Sequence, residues 1–90
     1  MKKITMRQFE NAIKDVNRET PIGLLSKVHQ QLINDKISEF AEANGVDNDN
    51  IDMNIYLHSE SYNSYVCLFR SGIPKYYCYE IPANTTTTNN

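Results

Sequence analysis

The sequence lacks a strong charge of either sign, a long hydrophobic run and a dense cluster of cysteines. Its 90 residues carry 9 basic and 11 acidic side chains, a formal net charge of −2. Because no basic patch is visible, we do not expect a nucleic acid as partner. No stretch approaches the roughly 20 apolar residues that cross a membrane, and Gln8, Glu10 and Lys14 interrupt the start where a signal peptide is apolar. We therefore predict a cytoplasmic protein without membrane contact.

Residues that carry catalytic or metal chemistry are also few. The 3 glycines are isolated along the chain and cannot form a phosphate-binding loop. His29 and His58 lie far apart, without a carboxylate at ligand spacing. No nucleophile motif surrounds Cys67 or Cys78. The sequence therefore predicts no metal, no cofactor and no enzymatic activity.

Two helices are predicted in the first half of the chain. Thr5 and Gln8 have the spacing of a capping box, and a helical apolar stripe follows at Met6, Phe9, Ile13 and Val16. Pro21 fits the first turn of a second helix, which Gly45 would end. Asp35 sits where the apolar stripe changes face, so this region is either one long helix, which we favour, or two.

From residue 51 the hydrophobic period changes from helical to alternating. Residues 51–57 read as one strand, and residues 64–81 read as a hairpin with Ser71 and Gly72 in its turn. The predicted fold is therefore α+β, with two N-terminal helices packed on one face of a three-stranded antiparallel β-meander. Residues 1–82 are predicted to form a single domain, and residues 83–90 a disordered polar tail.

The hairpin register decides whether the two cysteines can meet. A two-residue turn places Cys67 diagonally from Cys78, about 7–8 Å away, which is too far for a relaxed disulfide. A four-residue loop, 71–74, instead places the two cysteines opposite each other. Since disulfides are rare in the cytosol, we predict two free thiols that pack as small hydrophobic groups.

Both faces of the predicted hairpin look apolar or aromatic. One face continues the apolar side of the first strand and carries Val66, Leu68, Tyr77, Tyr79 and Ile81. The other carries Tyr65, Cys67, Phe69, Tyr76 and Cys78. With both helices on the first face, the second is left open as an aromatic, charge-poor surface typical of an interface. We predict partner binding through Tyr65, Phe69, Tyr76, Arg70 and Lys75; the alternative is that this face is core.

These features favour a small cytosolic protein-binding module. Such a module acts by occlusion, as inhibitors, antitoxins and immunity-type proteins do, on a protein partner or on a second copy as a homodimer. The 11 asparagines suit an AT-rich bacterial or phage coding source. The alternative function is nucleotide or single-stranded nucleic-acid binding by aromatic stacking on the same face, with a small aromatic ligand as a variant.

Overall fold

The computed structural model describes residues 1–85, which form two α-helices and one four-stranded antiparallel sheet. The strands are β1, Lys2–Ile4; β2, Asp52–Leu57; β3, Ser64–Arg70; and β4, Ile73–Ile81, in the spatial order β1-β4-β3-β2. The predicted three-stranded meander is wrong, because β1 adds to the free side of β4. A strand of 3 residues is too short to show alternation, and the capping box that follows it predicts only a helix.

The helices α1, Met6–Ile13, and α2, Lys27–Asn44, lie on opposite faces of the sheet. The prediction that both pack on one face is therefore wrong. The chain leaves β1 at one edge of the sheet and crosses a face as α1. It then passes the opposite edge, where the Thr20 N–H donates to the Ile55 carbonyl of β2 at 2.8 Å. The chain thus reaches the face of the sheet opposite α1, where α2 packs.

The predicted start of α1 is confirmed in atomic detail. The Gln8 N–H donates to Thr5 Oγ1 at 3.1 Å, and the Thr5 N–H donates to Gln8 Oε1 at 2.9 Å. The two bonds satisfy donors that the first turn of a helix otherwise leaves free. The helix ends at Ile13, before the predicted last stripe residue, Val16.

The second helix is one continuous helix but begins later than predicted. After Pro21 the chain forms a short 3₁₀ helix, Ile22–Leu24, and then Ser26 caps α2 by accepting the His29 N–H at 3.2 Å. The helix runs unbroken through the predicted change of stripe. Gly45 ends it in the left-handed conformation, with φ 65°, as predicted.

The two sides of the sheet bury cores of different size. The larger core lies between α2 and the sheet; its buried members are Leu25, Leu32, Ile33, Ile37, Phe40, Ala41, Ile51, Ile55, Val66, Leu68, Tyr79 and Ile81. The smaller lies under α1 and buries Phe9, Tyr65, Cys67 and Cys78. The predicted division of the hairpin side chains between two faces is thus confirmed. Within residues 1–85, no helix combines the length and apolar character needed to cross a membrane.

The described chain ends in a turn that is tied to the domain. The Ala83 N–H donates to Asn63 Oδ1 at 2.9 Å, and the Thr85 N–H donates to the Pro82 carbonyl at 3.0 Å. Residues 83–85 of the predicted tail therefore have defined contacts. Residues 86–90 lie outside the described part, so disorder of the tail stays a prediction.

Candidate functional site

The aromatic face of the sheet is covered by α1 over most of its area. Tyr65 is only 8% exposed, and its hydroxyl donates to Glu80 Oε2 at 2.9 Å. Phe9 of α1 packs in the same cluster and meets Tyr56 edge-on, with ring centroids 6.0 Å apart. Tyr65 was predicted to contact a partner on a face left open by both helices. It lies inside the smaller core instead and offers little surface for contact.

The exposed part of this face lies at the turn end of the hairpin. Phe69 and Tyr76 stack there with ring centroids 5.6 Å apart and an interplanar angle of 24°. Phe69 is half-buried against the α1 cluster, whereas Tyr76 is 58% exposed. The structure thus brings two of the three predicted aromatic contacts together at the surface. We call these two rings, together with their chain neighbours Arg70 and Lys75 at the same end of the hairpin, the hairpin patch.

The charged members of the hairpin patch differ in how firmly they are held. Arg70 Nη1 donates to the Asn50 carbonyl at 2.8 Å, which fixes its guanidinium against the loop before β2. Lys75 is exposed. Asp52 is the β2 partner of Phe69, so a carboxylate borders the same surface. The surface around the two rings therefore carries charges of both signs.

An irregularity in the β3–β4 pairing shapes the patch. Leu68 pairs with Tyr77, but Arg70 pairs with Ile73, so the register shifts by two positions between the two pairs. The added residues lie in β4 around Pro74, which has no N–H to give to the ladder. The turn is the two-residue one, with Gly72 at φ 91°, yet the cysteines are opposite each other. Neither simple register from the sequence included this bulge.

The two thiols face each other in the smaller core. Both are free, as predicted, and their Sγ atoms lie 3.6 Å apart. Burial raises the pKa of Cys67 to about 12, and it also raises the pKa of Cys78. Both side chains are therefore protonated at neutral pH, in the form that reacts slowly.

A second surface feature lies at the opposite end of the sheet and was not predicted. A groove of about 200 Å³ runs between Leu24 and Tyr62, which are 73% and 62% exposed. Tyr62 has φ 60°, a left-handed conformation that is rare for a bulky residue. The Tyr62 N–H donates to the His58 carbonyl at 2.9 Å, which stabilises this turn. The polar loop sequence gives no signal for such a groove.

His29 and Ser64 form a buried polar pair at the floor of this groove. Ser64 Oγ lies 2.8 Å from His29 Nδ1, and His29 Nε2 lies 3.1 Å from the Pro82 carbonyl. Because a carbonyl only accepts, Nε2 carries the proton and the serine donates to Nδ1. A hydroxyl bonded to an imidazole is a nucleophile–base contact, but Ser64 is 0% exposed and a substrate carbonyl cannot reach it. The pair joins α2 and β3 to the chain after β4.

The second histidine, His58, has a local role. Its Nδ1 accepts the N–H groups of Glu60 and Ser61 at 3.3 and 3.4 Å, which shapes the loop between β2 and β3. Among residues 1–85, no three His, Cys, Asp or Glu side chains come together as a metal ion requires. No protein-family model, curated protein or solved structure is significantly similar to this chain.

Proposed function

We propose that the protein is a small binding module that contacts a protein partner through the hairpin patch and acts by covering part of that partner's surface. The observation that carries this proposal is the stacked pair of Phe69 and Tyr76, with Tyr76 58% exposed at the end of the hairpin. An exposed tyrosine supported by a second ring supplies a large contact area and a hydroxyl for hydrogen bonding. Such residues dominate the energy of protein interfaces.

Three of the four side chains of the patch are held before any partner arrives. Phe69 is anchored against the α1 cluster and supports the Tyr76 ring, while Arg70 is bonded to Asn50. The pairing of Arg70 with Ile73 closes the hairpin next to these side chains. A preorganised surface loses less conformational entropy on binding, which raises its affinity for a partner.

The charges around the patch favour a protein over a nucleic acid. Arg70 and Lys75 are the cations of the patch, but Asp52 lies directly opposite Phe69 in β2. A phosphate backbone needs clustered cations, because its binding is driven by the release of counterions. A protein surface can match charges of both signs. We also infer that the module acts in the cytoplasm, where its two thiols remain reduced.

The test compares two exposed tyrosines at opposite ends of the sheet. A photo-crosslinking amino acid in place of Tyr76 identifies a candidate partner, which is then purified and titrated by calorimetry. Tyr76→Ser is expected to weaken binding about 30-fold, equivalent to about 2 kcal/mol for a hot-spot residue. Tyr62→Ser is the matched control, since Tyr62 is 62% exposed but lies by the other groove.

Two results contradict the proposal. Equal binding by Tyr76→Ser and the original protein shows that the partner contacts another surface. Tight binding of a labelled single-stranded oligonucleotide, with an affinity that falls steeply as salt rises, favours base stacking instead. Circular dichroism of both variants separates loss of the contact from loss of the fold.

A further inference from the structure

The Cys67 and Cys78 thiols form a pair whose geometry suits covalent closure. The two residues are direct partners across β3 and β4, and their Sγ atoms lie 3.6 Å apart. The bulge creates this arrangement, because the two-residue turn with a regular ladder would leave the cysteines diagonal. A feature of the backbone thus brings two thiols together that a simple hairpin would keep apart.

The hydrogen-bond pattern of the sheet shows whether Cys67 and Cys78 form a hydrogen-bonded or a non-hydrogen-bonded antiparallel pair. The Ile55 carbonyl accepts from Thr20 outside the sheet, so the neighbouring Asn54 directs its backbone groups at Cys67 in β3. The backbone groups of Cys67 therefore point away from Cys78. In such non-hydrogen-bonded antiparallel pairs the Cα atoms are about 4.5 Å apart, inside the range that a disulfide spans.

We propose that Cys67 and Cys78 are a modification site for disulfide oxidants, which convert the free pair into a cross-strand disulfide in the folded protein. With oxidised glutathione, one protein thiolate attacks the glutathione disulfide, forms a mixed disulfide and releases one glutathione thiolate. The second protein thiolate then attacks the protein sulfur of that mixed disulfide and releases the other glutathione. Two electrons pass from the protein to the oxidant, and the two thiol protons end on the two glutathiones.

Access to the thiols is governed by α1. Phe9 lies over the pair, and both thiols are buried, so the closed form reacts slowly. A helix of 8 residues has little stability of its own, so its opening exposes the pair without unfolding the larger core. Closure then joins β3 to β4 beside the hairpin patch. This inference does not depend on the proposed partner binding.

The experiment exposes the native protein to oxidised glutathione and follows intact mass and free thiols after acid quenching. The original protein is expected to lose two hydrogen atoms and both thiols together, without retaining glutathione. Cys78→Ala is the matched control: its remaining Cys67 has no resolving thiol, so it should keep one glutathione.

Other products overturn the proposal. Two retained glutathiones, or a disulfide-linked dimer, show that the pair does not close within one chain. Thiols that stay unmodified, while the same protein in urea is oxidised fully, show that the folded state prevents closure. The disulfide-bonded protein should also unfold at a higher temperature, because the cross-link restricts the unfolded chain.

Discussion

His29 links α2 to β3 and to the segment after β4 through an imidazole whose neutral form is favoured in the folded protein. Burial lowers the pKa of His29 below its usual value of 6.5, the Pro82 hydrogen bond opposes this, and the charge of the chain's amino terminus lowers it further. Its Nδ1 accepts from the Ser64 hydroxyl, so protonation at this atom requires that hydroxyl to turn and accept instead. Burial is the largest of these effects, so the charged form is disfavoured in the folded protein.

The resulting pH dependence has a definite sign. Between the lowered folded pKa and about 6.5, the unfolded chain binds more protons than the folded chain, so stability falls as pH falls through this window. We expect the free energy of unfolding, measured in urea, to drop from pH 7.5 to 5.5 with a slope of at most about 1.4 kcal/mol per pH unit. His29→Gln should flatten this slope.

Direct observation of the ring provides a check that does not depend on the variants folding. In an NMR titration, the His29 ring protons should shift at a pH below that of the same residue in urea. A titration at or above the urea value contradicts the assigned burial effect. Nothing in the sequence predicted that His29 lies beside Ser64 or that Leu24 lies across a groove from Tyr62, because each pair joins residues far apart in the chain.

At the scale of elements, the two helices should open independently. Thr5 caps α1 over the cysteines, and Ser26 caps α2 on the other face. Loss of either cap costs about 1 kcal/mol. We expect Thr5→Ala to accelerate alkylation of Cys67 and Cys78 under native conditions about fivefold, as about 1 kcal/mol implies.

The matched variant is Ser26→Ala, which weakens α2 by a similar amount. It should leave the alkylation rate of the cysteines nearly unchanged, because α2 does not cover them. Equal acceleration by both variants would mean that the thiols react through global unfolding, and that α1 is not a separate cover.

Some boundaries of helices and strands could be predicted from the sequence, and others could not. The α1 cap, the continuous α2 and the Gly45 end were predictable because each depends on residues within a turn or two of one another. Strand β1 was missed, since its pairing with β4 comes from the far end of the chain. The bulge near Pro74 was missed because a shift by two positions leaves every side chain on the same face, so the alternating pattern does not reveal it.

For the whole molecule, placing a helix on each face changes what self-association requires. The expected homodimer relied on an open aromatic sheet face, which α1 largely covers. We therefore expect light scattering at micromolar concentration to give the monomer mass of 10.4 kDa. A dimer that Tyr76→Ser dissociates would instead make a second copy the partner.

The candidate site was predictable in composition but not in extent. Aromatic residues and low charge in the second half of the chain indicated where contacts would concentrate, and Phe69 and Tyr76 do meet at the surface. Tyr65 shares their strand face but lies nearer the middle of the sheet, under Phe9. Strand alternation predicts which face of the sheet a side chain lies on. Whether that side chain is buried depends on where a helix crosses that face.

The pairing of β1 with β4 also sets an order of events during protein synthesis. Lys2 and Ile4 leave the ribosome before their β4 partners, Glu80 and Cys78, have been made. Until then β1 has no strand to pair with, and α1 is too short to persist alone. The smaller core therefore forms late, and the nascent chain exposes an apolar stripe that chaperones can bind while β4 is still being made.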